Sequence, residues 1–432
     1  MSSTPPLATT ANKATLPLFV AAEALSLFGN ASISIVLPWL VLSRTGDPSI
    51  AGLVAAVAAV PSVLATLVGG WLIDHVGQRR MSVIADLGSA VSVAGLAIVD
   101  WAFGLDIGWF VVLGVLGALF DVPGMTARET LMGRVSVTSG VVLDRVAAIR
   151  QSVFGIAFLA GPAVAGLLLT LLDPIRVVWV TAACSALAAL CTLVMPVVAP
   201  AADEAAIGQQ QPGGLATLWA SPALRAMVVI AFGSALLTAP LLTVLLPAHF
   251  QRLGQADWLG YTMSAFAAGT IAGSILYGVL AARSRRLVYV LGLVLQTVGM
   301  AGFASLQGFW LVAAGSVMIG IGGGLLSPIF LVFFTERVAE RVRGRVLSLV
   351  NALGMVASPI GLSLMALLLT RSTLGVGALV GFLGFLVVSA YALVSRGMRE
   401  FAATTPTVHT TSDPEPGPGS ASVEESDVRA DH

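Results

Sequence analysis

Charged residues, lysine and cysteine are scarce in this sequence. Only 10% of its 432 residues are charged, whereas 57% are apolar and the mean hydropathy is +0.95. Soluble domains average about 25% charged residues, so this composition excludes an ordinary soluble domain and predicts a membrane protein. The net charge is zero, and no nucleic-acid partner is predicted.

The shortage of lysine excludes one source of energy. Lys13 is the single lysine among 22 basic residues, and it stands in the segment ANKAT. A nucleotide-binding loop of the form G-x-x-x-x-G-K-[ST] needs a lysine to reach the phosphates. The chain therefore cannot hydrolyse ATP through such a loop, and uphill transport would have to draw on an ion gradient or on another subunit.

The few cysteines and histidines do not form a recognisable site. Cys184 and Cys191 would lie about 10 Å apart on one helix, too far for a disulfide, and are predicted to be buried small hydrophobes. The apolar runs contain no metal-ligand cluster, no Ser/His pair and no nucleotide loop. The sequence therefore predicts no cofactor and no metal, and it argues against an enzyme.

Apolar runs long enough to cross a bilayer, which takes about 20 mostly apolar residues, recur twelve times. Six precede and six follow a polar segment rich in Gln, Pro and Gly. This predicts an all-α membrane protein with two pseudo-symmetric six-helix bundles. The predicted spans are 16–42, 50–73, 81–103, 107–127, 146–171, 174–198, 224–248, 257–282, 287–306, 309–334, 346–370 and 373–395. The predicted regions are a cytoplasmic tail at 1–15, bundles at 16–198 and 223–396, a cytoplasmic linker at 199–222, and a disordered acidic cytoplasmic tail at 397–432.

The positions of the basic residues predict which side each end of the protein faces. With the N-terminus inside, only four of the basic residues that flank a span fall outside, namely Arg44, Arg176, Arg252 and Arg371. Basic residues favour the cytoplasmic side of a membrane. Both termini are therefore predicted to be cytoplasmic, in a multi-pass protein of the plasma or inner membrane.

Glycines and prolines recur within the spans of both halves. Pro123 in span 4 has a counterpart in the second half, Pro328 in span 10. Gly269-x-x-x-Gly273 in span 8 and GIGGG at 320–324 in span 10 predict close helix packing.

The segment GGWLIDHVGQRR at 69–80 concentrates charge and glycine between spans 2 and 3. Gly70 allows a close helix approach, Gly77 permits a tight turn, and Asp74 is suited to accept hydrogen bonds from a helix N-terminus. The segment resembles the G-x-L-x-D-x-x-G-R-R loop of the major facilitator superfamily. The resemblance covers 16–395 and implies two bundles around a central cavity lined by helices 1, 4, 7 and 10.

In that superfamily the loop latches the two halves together on the cytoplasmic face. We expect Asp74 to face the N-terminus of helix 11, just after Arg345. A generic charged loop would explain the two arginines, but not an acid between two glycines. The resemblance implies the latch role for Gly70, Asp74, Gly77, Arg79 and Arg80.

A second motif lies in span 5. The stretch GIAFLAGPAVAGLL at 155–168 resembles the G-P-x-x-G-G motif of the superfamily's drug/proton antiporters, with Gly161, Pro162 and Gly166 matching and Ala165 replacing a glycine. Proline bends a helix, so an ordinary kinked membrane helix is the alternative, whereas the resemblance implies export. The segments at 37–62, 123–131 and 343–349 also resemble the macrolide- and multidrug-efflux branch, which includes siderophore exporters.

Ionisable residues inside spans are costly and usually functional. Glu23 in span 1 and Asp121 in span 4 are candidate proton carriers, because ionisation of a carboxylate in a low-dielectric site depends on hydration. Arg150, near the start of span 5, would alternatively form a structural ion pair with Asp121. Glu23 has no base near it in sequence and is the favoured coupling site. Asn30 either faces the cavity or makes a helix–helix hydrogen bond.

The predicted function is proton-driven export of amphipathic small molecules by alternating access, in a monomer. Proton-coupled import of a nutrient or metabolite, and export of siderophores or lipids, are the alternatives within transport. A non-transporting membrane sensor or enzyme is the alternative of another class. The predicted partners are a small-molecule substrate, protons and the lipid bilayer.

Overall fold

The first half of the protein forms six successive helices. The structure is a computed structural model that describes residues 12–197, 222–281, 283–306, 308–337 and 340–395. The first six helices are α1 (Thr15–Thr45), α2 (Pro48–Val76), α3 (Gln78–Ala102), α4 (Ile107–Ser139), α5 (Leu143–Leu171) and α6 (Pro174–Val194).

In the part of the chain that the structure describes, the second half also forms six helices, the first of which changes form midway. In α7 an α-helix (Pro222–Pro240) passes into a π-helix (Leu241–Leu245) and returns to an α-helix (Leu246–Leu253). Pro240 precedes the π segment and Pro247 follows it, and each lacks the N–H that a regular ladder requires. The other five helices are α8 (Ala256–Leu280), α9 (Arg285–Ala304), α10 (Gly308–Arg337), α11 (Glu340–Leu369) and α12 (Leu374–Val394).

Each of the twelve helices is long and apolar enough to cross a membrane, which confirms the predicted all-α membrane fold. The end of α4 was predicted wrongly, because the helix continues to Ser139 instead of ending at 127. Its last turns carry Arg128 and Arg134, which the sequence placed in a loop. Arg128 is only 3% exposed. A charged residue therefore lies inside the bundle, although its charge suggested that the span had ended before it. The tails at 1–15 and 397–432 and the linker at 199–222 fall almost wholly outside the described residues.

The two halves meet mainly along two helix pairs, α5 with α8 and α2 with α11. The largest apolar cluster takes residues from both halves, among them Leu40, Val54, Leu245 and Leu369. These residues lie toward the end of the bundle that contains the α1–α2 and α11–α12 connections, which we call the closed end. The opposite end, which carries both ends of the described chain, is called the terminal end.

At the terminal end, the apolar clusters among the described residues each belong to a single half. One cluster there includes Phe19, Leu131 and Val146 of the first half, and another includes Ile230 and Leu326 of the second. A further small cluster around Met81 also belongs to the first half alone. In the described part of the chain, the shared apolar core therefore lies at the closed end, and each half has a cluster of its own at the terminal end.

Close glycine contacts join α8 to α10. A Cβ atom on Gly269 would lie 2.4 Å from the Val317 carbonyl oxygen, and one on Gly324 would lie 2.1 Å from the Thr270 oxygen. Side chains cannot fit at such separations, so the two backbones touch directly. The predicted packing role of these glycines is confirmed.

Candidate functional site

Charged side chains from four helices meet inside the first half, toward its terminal end. Glu23 on α1 is 2% exposed, and its Oε1 lies 3.0 Å from Nε of Arg150 on α5. The second carboxylate oxygen, Oε2, has no hydrogen-bond partner and lies 3.8 Å from a terminal nitrogen of Arg128 on α4. Glu23 is thus held between two arginines.

Arg128 connects three helices through its three nitrogens. Its Nε donates a hydrogen bond to Ser82 Oγ on α3 at 3.2 Å. One terminal nitrogen contacts Asp86 Oδ1 on α3, and the other faces Glu23. Asp86 is 3% exposed, and its Oδ2 lacks a hydrogen-bond partner. One guanidinium therefore serves two buried carboxylates and satisfies neither completely.

Asp121 lies on the same face of α4 as Arg128, since seven residues make two helical turns. It is partly buried, beside Ser89 and within electrostatic range of Asp86 and Arg128. No ion pair of Asp121 is found among the described residues. Its carboxylate is therefore the member of the group that lacks a direct cationic partner.

These contacts bear on two expectations from the sequence. The alternative of an Asp121–Arg150 ion pair is not found among the described residues, because Arg150 pairs with Glu23 at 3.0 Å and approaches the exposed Glu129 at 3.9 Å. Glu23, which has no base near it in sequence, has two in space. Asn30 lies two turns along α1 on the same face as Glu23 and is partly exposed.

The 69–80 loop is built around Gly77 and Arg79. Gly77 joins α2 to α3 with a φ of 89° and a ψ of 140°, a conformation that side chains disfavour, which confirms the predicted tight turn. The Arg79 guanidinium donates to the carbonyl oxygens of Thr192, at 3.1 Å, and Leu193. It thereby neutralises the negative end of the α6 dipole and fixes α3 to α6 within one half.

The latch itself remains a prediction. Asp74 and Arg80 are exposed, and the surroundings of Gly70 lie outside what the structure describes. The structure also does not describe the side chains of residues 333–348, which would face the loop. The α11 helix begins at Glu340, so its N-terminus precedes Arg345 instead of following it.

The α5 motif lies where the two halves touch. A Cβ on Gly166 would be 2.6 Å from the Ala256 carbonyl oxygen and 2.9 Å from Gly260 Cα on α8. Next to Pro162, the N–H of Ala163 donates to Ser264 Oγ on α8 at 3.0 Å. The motif therefore forms part of the contact between the halves.

Gly161 faces a different neighbour. A Cβ there would lie 2.6 Å from the Cβ of Ala31 on α1, so this glycine allows α5 to approach α1 within the first half.

Comparison with known proteins identifies the family to which this chain belongs. The pattern of the Major Facilitator Superfamily matches residues 19–256 and 241–417. The chain belongs to the major facilitator superfamily. It is therefore a multi-pass transporter of small molecules and not an enzyme, as the sequence predicted.

Similar proteins of this superfamily include drug-efflux pumps. The chain is 32% identical over 357 residues to the multidrug efflux pump Tap of Mycobacterium tuberculosis, a match that covers 80% of this chain and 85% of that protein. It is 22% identical over 366 residues to macrolide efflux protein A of Streptococcus pyogenes, covering 81% and 88%. These matches confirm the resemblance to the macrolide- and multidrug-efflux branch.

Solved structures show the same fold. The nucleoside transporter NupG has a TM-score of 0.69 and 16% identity to this chain, over 90% of this chain and 98% of NupG.

Sequence analysis missed Arg128 as a site residue in this transporter. Two signals were present: Arg128 follows Asp121 by two helical turns, and it stands in the segment PGMTARETL, which carries part of the family resemblance. Because span 4 was predicted to end at residue 127, Arg128 was placed in the following loop and neither signal was used. Among the described residues, no group of His, Cys, Asp or Glu is arranged to hold a metal ion.

Proposed function

We propose that this chain is a secondary active transporter that exports amphipathic small molecules in exchange for protons, by alternating access. Three features support export: the matches to Tap and to macrolide efflux protein A, the antiporter-like motif, and the place of that motif between the halves. The packing of both halves at the closed end fits one of the two states that alternating access requires.

The charge balance of the buried cluster supports proton exchange. Glu23, Asp86 and Asp121 supply three carboxylates, whereas only Arg128 and Arg150 supply positive charge among them. Glu129, which is 63% exposed, is solvated and does not alter this count. An uncompensated charge inside a membrane protein is costly, so the cluster favours binding one positive charge. We assign the proton to Asp121, the carboxylate without a direct cationic partner.

The described part of the second half has no such cluster. Apart from His249 on α7, its ionisable residues within the candidate spans lie near helix ends. Proton exchange is therefore assigned to the first half. The second half supplies a largely apolar wall suited to amphipathic substrates.

Substrate-dependent proton movement tests this function. Purified protein in liposomes that contain a pH-sensitive dye should move protons when ethidium, an amphipathic cation, is added on one side. Asp121→Asn serves as the matched control. Ethidium transport without proton movement would overturn proton exchange, and the absence of transport for a broad panel of amphipathic compounds would overturn efflux.

Orientation completes the proposal: both termini are assigned to the cytoplasm of a monomeric plasma-membrane protein. A cysteine at Gln210, in a variant without Cys184 and Cys191, should resist an impermeant maleimide added to intact cells. A cysteine at the exposed Arg371, at the closed end, should react. Reaction at Gln210 together with protection at Arg371 would reverse the assignment.

A further inference from the structure

The shared guanidinium of Arg128 suggests a switch between two carboxylates. An arginine pairs most strongly when two of its nitrogens meet both oxygens of one carboxylate. Here the nitrogens are divided between Asp86 and Glu23, and each carboxylate keeps one buried oxygen without a hydrogen bond. A complete pair with either carboxylate would come at the expense of the other.

The contacts show which partner dominates in this state. Arg128 touches Asp86 and Ser82, both on α3, but remains 3.8 Å from Glu23 on α1. Nε of Arg150 lies 3.0 Å from the other oxygen of Glu23, an ion pair without hydrogen-bond geometry. Arg128 therefore joins α4 firmly to α3 and only loosely to α1.

The geometry points to Arg128 as the positioning residue that converts the charge of Asp121 into movement of α1 relative to α3 and α4. This inference rests on the proposed proton exchange and assigns roles to Asp86 and Arg128 that the exchange alone does not. Ionised Asp121 adds negative charge on the α3–α4 side and keeps Arg128 on Asp86. A proton on Asp121 removes that attraction, and Arg128 shifts to Glu23, where α1 follows it.

The charged groups that the described contacts place around Arg128 and its partners enter this account. They are Glu23 on α1, Asp86 on α3, Asp121 and Glu129 on α4, and Arg150 on α5. Arg150 repels Arg128 but shares Glu23 with it, so it limits how far Arg128 can move. Because α1 and α4 belong to the half that meets α8 and α11, a shift of α1 biases the equilibrium between states closed at one end and at the other.

The distance between the halves at the terminal end reports this equilibrium. Spin labels at Val137 on α4 and Val279 on α8, which are 65% and 61% exposed, would be measured in a background without Cys184 and Cys191. The protein is held in lipid nanodiscs without a gradient, so the result does not depend on transport. Failure of the proton-flux test would therefore be distinguishable from failure of this inference.

The inference predicts that substituting Glu23 and substituting Asp86 shift the distribution of distances in opposite directions. Glu23→Gln leaves Arg128 to Asp86 and should favour the present state, whose halves share a core at the closed end and which we expect to give the longer distance. Asp86→Asn leaves Arg128 to pair with Glu23 and should favour the short distance. Asp121→Asn, and acidification of the unmodified protein, should also favour the short distance. In each case we expect the ratio of long to short distances to change by roughly 5- to 150-fold, the usual range for coupled sites.

Arg128 variants provide the decisive control. Arg128→Gln should remove the effect of acidification on the distances, and Arg128→Lys, which keeps the charge but cannot form a two-pronged pair, should reduce it strongly. If Arg128→Gln does not fold, Arg128→Lys carries the test alone. Shifts of the same sign for Glu23→Gln and Asp86→Asn, or a full pH response without the guanidinium, would overturn the switch.

Discussion

Replacing Asp121 with asparagine is expected to abolish proton-coupled export while leaving the protein folded. The amide has nearly the size of the carboxylate but cannot bind and release a proton. Asp121 has no ion pair among the described residues, so its loss leaves no arginine without its direct partner. Ethidium transport by the variant in liposomes should become independent of an imposed pH gradient, and its melting temperature in detergent should stay close to that of the unmodified protein.

Glu23→Gln is the comparison that separates the two acids. Glu23 is 2% exposed and pairs with Arg150. Breaking a buried pair by removing one partner costs about 3–5 kcal/mol, so this variant should melt at a clearly lower temperature. If instead Glu23→Gln melts normally and loses its response to the pH gradient, while Asp121→Asn exports normally, Glu23 is the proton carrier that the sequence favoured.

Gly166→Ala is expected to reduce export strongly by separating the halves at their contact. The added methyl would lie 2.6 Å from the Ala256 oxygen and 2.9 Å from Gly260 Cα. Backbone atoms cannot rotate away, so α5 and α8 must move apart. Overpacking of this kind costs about 1–3 kcal/mol, which corresponds to a shift of roughly 5- to 150-fold against the state closed at this contact. Initial rates of ethidium export at equal protein content would measure the effect.

A glycine on the same helix offers the matched control. A Cβ on Gly155 would have no neighbour within 4 Å, and alanine is favoured over glycine in a helix interior by about 0.5–1 kcal/mol. Gly155→Ala should therefore export normally and be at least as stable. Equal losses for Gly155→Ala and Gly166→Ala would show that the effect comes from α5 itself and not from its contact with α8.

Local features of the chain were predictable from the sequence. A bilayer leaves no water for unpaired backbone groups, so a long apolar run has to form a helix, and the runs marked all twelve spans. The turn at Gly77 also followed from local sequence, because a positive φ favours glycine wherever the chain reverses sharply. Close packing at Gly269 and Gly273 was predictable because a residue without a side chain allows any neighbouring helix to approach closely.

The ionic partners, in contrast, depended on the tertiary structure. Glu23 and Arg150 are more than a hundred residues apart in the sequence, and they meet because α1 packs beside α5 with one particular rotation. The burial of Arg128 likewise depended on Ser82 and Asp86 of a neighbouring helix. Hydropathy fixes how many helices cross the membrane, but the order and rotation of those helices determine which charges meet, because the energy of a buried charge depends on whether its partner is present.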